Sequence, residues 1–545
     1  MGESVVEQAE PTARRPSLAR ASGTMAVATI TSRITGLAAK VLLAAVLGLG
    51  MVNDSYTVAN TLPTVINELL LGGVLTSVAV PLLVRAQQRG PVEGEHYAQW
   101  MITTGGVLMA AATLVSVAAA PLLTALYLGA DTRANTELTT AFAYLLLPAI
   151  LFYGLSALLS AVLNARHVFG PPAWAPVINN IVVIGTTALF AAMPGTISLH
   201  PVRMGEPKLL VLGIGTALGI VAQSLVVATS LHRSGFRFRW RWGWDHRLGE
   251  FAALGGWVVL YTVISQVGMI VTTRVSGRGT EGSVATFTYA WLLSQVPYGV
   301  LGVSLLTALM PRISRAATDT DTTEFIAHLS LGTRMSSVLL MPISALMLIA
   351  GGPLATAMFS LGNSATAADR LGATIGASAL GIVPFAITML QLRAFYAMKD
   401  ARTPTVINLV MVVFRAALCY LFLATTDPHD LVVSVALAMS LSFIVGALVG
   451  QLWLHARITG MRSGHIGRSI LRSLLITATA AACALALDAA LAGTLSSAGP
   501  IAAAWMRLVL DTAVVLLVSF GGMLLARAPE LDPVREALHR RLGRS

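Results

Sequence analysis

The chain is built mainly from apolar segments, most of them twenty residues or longer. They lie near 24–49, 55–84, 98–128, 137–163, 172–193, 209–231, 250–273, 284–311, 327–351, 370–397, 404–425, 430–454, 467–489 and 500–526. About twenty apolar residues are enough for one helix to cross the hydrocarbon core of a bilayer. The pattern therefore predicts an all-α integral membrane protein with about fourteen transmembrane helices. A composition of 55% hydrophobic and 11% charged residues excludes an ordinary soluble domain.

The basic residues indicate how these spans are oriented. An even number of spans places both termini on one side. The tails and loops of that side carry about 24 Lys and Arg residues, whereas the opposite loops carry about six. Positively charged loops stay in the cytoplasm, so residues 1–23 and 527–545 are predicted to be cytoplasmic tails. The net charge of +11 is thus explained by topology, and we expect no nucleic-acid partner.

Two stretches of the sequence repeat at nearly the same spacing. LGGVLTSVAVPLLVRA (71–86) and LGVSLLTALMPRISRA (301–316) agree at six of sixteen positions with an offset of 230, and Val-Ile-Asn at 177–179 recurs at 406–408. The offset covers six spans, which predicts two parallel six-helix repeats, as in transporters. The predicted units are an N-lobe at 24–232, a C-lobe at 248–456, and two extra helices at 466–526.

Two cations lie inside the first span, where a charge costs roughly 3 kcal/mol or more unless it faces water or a partner. Arg33 and Lys40 are seven residues apart, nearly two helical turns, so they share a face. This favours a common cavity for an anionic substrate, with Ser32 as a hydroxyl donor. Snorkelling of each cation to its nearer membrane surface is the alternative.

Further polar residues are candidates for the same cavity. Asp54 opens the second span, where it is either a helix N-cap or a gate residue. Asn67 and Glu68 follow in that span, and Lys40 is the predicted partner of Glu68. Arg415 lies too deep to snorkel easily, whereas for Arg393 the cavity and snorkelling are equally good explanations.

The sequence contains no pattern typical of an enzyme. It has no nucleophile–base pair, no metal-binding His/Glu motif and no phosphate-binding glycine loop. Its two cysteines, Cys419 and Cys483, each lie in an apolar segment, so we expect no disulfide framework or metal cluster. No catalytic residue, metal or cofactor is therefore predicted, and a coupling ion of unknown identity is left open.

Five blocks of the sequence have a familiar pattern. They are TITSRITGLAAKVLLAAVLG (29–48), NDSYTVANTLPTVINELLLGGVLTSVAVP (53–81), LNARHVFGPPAWAPVINN (163–180), VPYGVLGVSLLTALMPRISRAA (296–317) and LRAFYAMKDARTP (392–404). Together they resemble the MurJ/MviN family of lipid II flippases, which belongs to a superfamily with multidrug and polysaccharide exporters. The resemblance implies a transporter of the undecaprenyl-pyrophosphate-linked peptidoglycan precursor, moved from the cytoplasmic to the outer leaflet by alternating access. It also implies a bacterial cytoplasmic membrane, a lipid-tail groove at 466–526, and lipid II, membrane lipids and cell-wall synthesis and division proteins as partners.

The resemblance assigns some residues and leaves others open. Ser32, Arg33 and Asp54 match family residues, but family cations fall at Ala39, Asn67 and Leu292, and a family glutamate falls at Gln295. We hypothesise that Lys40, Arg393 and Arg415 compensate. Two alternatives stay open: an exporter of another polyprenyl-linked glycan or a drug, and a non-transporting scaffold for cell-wall assembly.

Overall fold

The computed structural model describes residues 18–72, 80–243, 252–319, 321–360, 368–458, 463–496 and 499–532, and every regular element within these ranges is a helix. The α-helices are α1 (Leu18–Leu47), α2 (Met51–Asn67), α3 (Val80–Arg89), α4 (Pro91–Ala118), α5 (Ala120–Leu128), α6 (Thr136–Leu146), α7 (Ala149–Ala165), α8 (Gly170–Ala192), α9 (Pro207–Arg233), α10 (Ala252–Ser276), α11 (Ser283–Pro297), α12 (Val303–Thr318), α13 (Thr322–Ile349), α14 (Gly351–Phe359), α15 (Ala368–Ala379), α16 (Ile382–Ala397), α17 (Arg402–Thr425), α18 (Leu431–Arg457), α19 (Ser463–Ser496) and α20 (Pro500–Leu525).

Many of these helices are long and apolar enough to cross a membrane, which confirms the predicted fold class. Eleven of the described helices qualify alone, and thirteen spans result if the bent pairs α6/α7 and α15/α16 each count as one. The α6/α7 pair bends by 43° where Pro148 precedes α7, because proline cannot continue the hydrogen-bond ladder. The second predicted span contains residues 73–79, which lie outside the described ranges. The described residues thus account for thirteen of the predicted spans, and the fourteenth stays a prediction.

The helices form two lobes with separate hydrophobic cores. Helices α2 to α9 surround one core with Leu62 and Phe142 at its centre, and α10 to α18 surround a second core that includes Ile313 and Phe395. A third cluster joins the lobes, since Ala44 of α1 packs there with residues of α11, α15 and α16. Helices α19 and α20 pack on each other and on α13 and α14.

The internal repeat is visible as matching irregularities in the two lobes. A five-residue π-helical turn at Glu68–Gly72 follows α2, and another at Tyr298–Gly302 joins α11 to α12. The two turns are 230 residues apart, which is the offset predicted from the sequence. π-Helical turns are rare and appear mostly as single-turn bulges inside α-helices. A matched pair at this offset supports the duplication.

The second sequence match lies one residue away from the structural equivalents. Asn408 donates to the Tyr261 carbonyl (3.0 Å) and the Ser265 hydroxyl (2.8 Å) of α10. In the N-lobe, Asn180 makes the equivalent contacts to α1. Its neighbour Asn179 faces α9 instead. Because the two asparagines are adjacent, the sequence alone could not tell which of them faces α1.

A buried glutamate fixes the end of the last helix to the C-lobe. Glu530 accepts hydrogen bonds from Ser469 at Oε1 (2.8 Å) and from Arg472 at Oε2 (2.6 Å), both in α19, and Arg334 of α13 also lies 3.4 Å from Oε1. Burial acts to raise the pKa of Glu530, but these hydrogen bonds and the two guanidinium groups hold it below its ordinary value. Residues 1–17 and 533–545 of the predicted tails lie outside the described ranges.

Candidate functional site

The two cations of the first span lie together in a cavity of about 600 Å³ inside the N-lobe, which we call the N-lobe cavity. Helix α1 contributes Ser32, Arg33 and Lys40, as their shared helix face predicted. Helices α2, α7, α8 and α9 form the other walls, and α11 of the C-lobe closes the cavity. Its polar lining includes Tyr56 and Asn60. Neither cation has a carboxylate within ion-pair distance in the described part of the chain.

Arg33 reaches across the cavity to the other lobe. Its guanidinium lies against Gly299 in the π-helical turn, where an added Cβ would be 2.8 Å from Arg33 Cζ. Glycine thus makes room for a cation at the point where the lobes meet. The walls of the N-lobe cavity thus come from the N-lobe, except for α11, which belongs to the C-lobe. A movement of one lobe relative to the other would shift α11 against the remaining walls.

Two positions that the resemblance matches to cations of the family line this cavity, but both carry apolar residues in this chain. Ala39 and Leu292 both line it, on α1 and α11 respectively. Their location supports the residue matching made from the sequence. The positive charge of the cavity is consequently carried by Arg33 and Lys40, without additional arginines at these two places.

A second cavity of about 390 Å³, the C-lobe cavity, lies between α10, α11, α16, α17 and α18 and is closed by α2. Arg415 enters it and is 8% exposed, and Gly268 of α10 lets it approach, since an added Cβ there would clash with Arg415 Nη2. Glu68 also lines this cavity and accepts a hydrogen bond from Gln266 Nε2 (3.0 Å). Our predicted Lys40–Glu68 pair was therefore wrong, because the two side chains enter different cavities.

Two other predicted site residues are not brought into either cavity. Asn67 is partly buried in α2, and its Oδ1 atom has no hydrogen-bond partner in the described structure. Arg393 of α16 is partly buried and lies near enough to Tyr298 to interact with it electrostatically. Their assignment to substrate binding stays a prediction.

Asp54 joins the two lobes. Its carboxylate accepts hydrogen bonds from the backbone N–H groups of Gly282 and Ala285, each at 2.8 Å, at the start of α11. It is 2% exposed. Asp54 thus caps a helix, but the helix belongs to the opposite lobe, where the N-terminal partial positive charge favours an anion.

Other contacts at the same end of the molecule join the lobes. Arg278 pairs with Asp131 (2.8 Å), and the Arg133 N–H donates to the Gly277 carbonyl (2.9 Å). Thr132 donates to that carbonyl as well, at 3.2 Å. We call these contacts, together with Asp54 and its two backbone donors, the interlobe seal. The seal closes the end of the molecule that carries few basic residues.

Sequence reasoning missed several residues that shape the cavities. Gln266, Gly268 and Gly299 have no distinctive signal alone, because each acts on a side chain more than a hundred residues away. Among the described residues, no group of three or more His, Cys, Asp or Glu side chains comes together. That no cofactor binds stays a prediction, and the coupling ion stays unassigned.

Two pseudo-symmetric helical lobes with a cationic interior define a membrane transporter, not an enzyme. Solved structures agree on the fold. A structure titled "Lipid II flippase MurJ, inward closed conformation" aligns with a TM-score of 0.72 and 20% identity over 92% of this chain and 98% of that one. An inward-facing multidrug resistance MATE transporter of the MOP superfamily aligns with a TM-score of 0.65 and 15% identity over 82% of this chain and 99% of its own.

The sequence comparisons narrow the class to one family. The family model described as "Lipid II flippase MurJ" matches residues 43–498. Relatives include a lipid II flippase MurJ of Burkholderia cenocepacia, 27% identical over 79% of this chain and 83% of that protein, and a probable one of Rhizobium meliloti, 27% identical over 89% of each. The chain belongs to the MurJ family of lipid II flippases, which confirms the resemblance.

Proposed function

We propose that this chain flips lipid II, the undecaprenyl-pyrophosphate-linked peptidoglycan precursor, from the cytoplasmic to the outer leaflet of a bacterial cytoplasmic membrane. The proposal includes cytoplasmic location of both termini, as the loop charges predict. Family membership supports the substrate. The geometry supports the way in which the substrate is held.

The observation that carries the proposal is the pair of cations in the N-lobe cavity. Arg33 and Lys40 line one cavity with no described carboxylate to neutralise them. A guanidinium and an ammonium group bind phosphate oxygens with short, charge-assisted hydrogen bonds. A pyrophosphate that enters this cavity would neutralise the two cations, which have no carboxylate partner among the described residues. Ser32 and Asn60 add neutral donors around it, whereas the Tyr56 hydroxyl is bound to Thr216 (2.9 Å).

Alternating access is supported by the fact that each cavity has walls from both lobes. The N-lobe cavity is closed by α11 of the C-lobe, and the C-lobe cavity is closed by α2 of the N-lobe. Rocking of the lobes therefore changes both cavities together. In the state described here the interlobe seal blocks the less basic end. Release on that side requires the seal to open, with energy from the membrane potential or from an ion gradient.

The test is the leaflet accessibility of lipid II in cells whose only flippase is this chain. An externally added probe that binds or cleaves lipid II reports the precursor that reaches the outer face. With Arg33→Ala we expect that signal to fall at least tenfold at equal protein level. Arg89→Ala, which removes an exposed cation from the end of α3, is the matched control and should leave the signal unchanged.

The alternatives give different outcomes in the same assay. An unchanged signal with Arg33→Ala would favour a scaffold that does not transport. Absence of outer-face lipid II with the wild-type chain would favour an exporter of another polyprenyl-linked glycan or of a drug.

The compensation hypothesis has a separate test. Single alanine changes at Lys40, Arg393 and Arg415 should each reduce outer-face lipid II if these cations replace the missing family arginines. If all three are silent while Arg33→Ala abolishes transport, the hypothesis is wrong. Docking of cell-wall synthesis and division proteins on the basic loops stays part of the proposal.

A further inference from the structure

The chain after α9 carries an unusual alternation of aromatic and basic residues. Residues 236–243 read FRFRWRWG and form neither helix nor strand. Three of the aromatic residues, Phe236, Phe238 and Trp240, line one cavity, whereas the arginines between them do not. We call this segment the aromatic–arginine strap. Nothing in the transport mechanism above uses it.

The strap is fixed along the beginning of α4. Gln99 Nε2 donates to the Arg237 carbonyl (3.0 Å), and Trp100 Nε1 donates to the Gly243 carbonyl (2.6 Å). Between these points the Arg241 N–H donates to the Thr103 hydroxyl (3.3 Å). At its start, Phe236 is buried beneath the Arg166 guanidinium, which lies 5.0 Å from the ring centre. The alternation is therefore held in a defined position.

A separate apolar cavity of about 470 Å³ opens beside the strap. Its walls are α4, α7, α9 and the strap, and its lining is almost entirely aliphatic and aromatic. Phe238 and Trp240 line it although they are 51% and 67% exposed. None of its lining residues lines the N-lobe cavity. It is thus an apolar space on the outside of the N-lobe, where acyl chains surround the protein.

The basic residues of the strap have the opposite character. Arg237, Arg239 and Arg241 are exposed, and none forms an ion pair with an acidic residue of the described chain. Guanidinium groups bind phosphate in a bidentate manner and attract anionic lipid at the membrane surface. Three of them beside an apolar cavity complement a molecule with an anionic phosphate head and an apolar tail.

We propose that the strap and this cavity form a binding site for one anionic phospholipid of the surrounding bilayer. The phosphate binds the three arginines, and one acyl chain enters the cavity past Phe238 and Trp240. A general belt of interfacial aromatic and basic residues anchors membrane proteins without any cavity. The proposal differs from such a belt because it requires the cavity, and this difference can be tested.

The first experiment tests the headgroup. Native mass spectrometry of the full-length protein in detergent would measure binding of added phosphatidylglycerol and, separately, of phosphatidylcholine. The triple variant R237Q/R239Q/R241Q should bind phosphatidylglycerol at least tenfold more weakly, with no change for phosphatidylcholine. The control R89Q/R312Q/R402Q removes three exposed arginines elsewhere and should bind like the wild type. An equal loss in the control would show unspecific charge attraction and overturn the proposal.

The second experiment tests the cavity without changing charge. Gly106 lines it, and an added Cβ there meets only Leu155, at 3.8 Å, so a larger side chain can start at this position without a clash of its Cβ. Gly106→Leu should also bind phosphatidylglycerol at least tenfold more weakly, with a melting temperature no lower than that of the wild type as evidence of folding. Unchanged binding would reduce the site to an interfacial belt.

Two competitors identify the source of the phosphate. Glycerol 1-phosphate, a soluble headgroup, should not displace phosphatidylglycerol, because it lacks the chain that fills the cavity. Displacement by glycerol 1-phosphate would show a free-phosphate site, and displacement by equimolar lipid II would show a substrate entry site. Either result would overturn the proposal.

Discussion

Asp54 offers the sharpest test of how the lobes are held together. Its two oxygens accept the Gly282 and Ala285 N–H groups, each at 2.8 Å and out of contact with solvent. Asp54→Asn keeps one neutral acceptor oxygen, so one bond is lost and the other loses its charge. Hydrogen bonds to charged groups contribute about 1.5–3 kcal/mol each. We expect the sealed state to lose about 2 kcal/mol, which corresponds to about 30-fold in the equilibrium between sealed and open forms.

Cysteine labelling from outside the cell measures this equilibrium. Ser283 lies next to the Asp54 contact and is fully buried, and Ser283→Cys is nearly isosteric. The native Cys419 and Cys483 must first be replaced by alanine and serine. A membrane-impermeant maleimide should then label Cys at position 283 about 30-fold faster in the Asp54→Asn background than in the Asp54 background.

A buried variant inside the N-lobe serves as control for local damage. Thr139 is fully buried and donates its hydroxyl to the Asn135 carbonyl at the start of α6. Thr139→Val should therefore leave the labelling rate unchanged. A change of less than threefold with Asp54→Asn, or an equal rise with Thr139→Val, would refute the assignment of Asp54 to the seal.

Three further predictions concern packing and charge. Glu530→Gln should lower the free energy of unfolding by about 3 kcal/mol, measured by thermal unfolding in detergent, because it breaks a buried ion-pair network. The pKa of Glu530 is lower in the folded state than its ordinary 4.5, so this group stabilises the fold at pH values above 4.5. That stabilisation is lost as the pH falls through the folded-state pKa, and Glu530→Gln should remove this pH dependence. Gly268→Ala displaces the Arg415 guanidinium and Arg415→Ala removes it, so both should reduce lipid II transport to a similar degree. The double variant should be no worse than either single variant, because both changes act on the same group. Asn180→Ala and Asn408→Ala should each cost about 1–2 kcal/mol and their costs should add, because they lie in different lobes; a clearly non-additive double variant would contradict independent lobe packing.

The spans were predictable because each rests on a sum over many residues. The apolar segment 404–425 corresponds to α17 at Arg402–Thr425, and 500–526 corresponds to α20 at Pro500–Leu525. Transfer of about twenty apolar side chains into hydrocarbon outweighs any local preference, so single residues shift only the ends. The shared cavity of Arg33 and Lys40 was predictable for a similar reason, since helical periodicity alone places them on one face.

The partners of individual polar residues were not predictable in the same way. Glu68 was assigned to Lys40, but its hydrogen-bond partner is Gln266, which is 198 residues away in sequence. Asp54 was expected to cap its own helix or to act as a gate, and it caps α11 of the other lobe. Such contacts depend on how two separately folded lobes meet. No local pattern in a single sequence contains that information.

The matched π-helical turns have a consequence for the history of the chain. Each holds one residue more per turn than an α-helix, and deletion of a single residue would restore regular α-helix. One insertion before a duplication accounts for both turns, whereas insertion after it requires two independent events at the same place. The two turns begin with different side chains, Glu68 and Tyr298, and end with the same residue type, Gly72 and Gly302. The two lobes thus share a wider backbone turn that carries different chemistry in each.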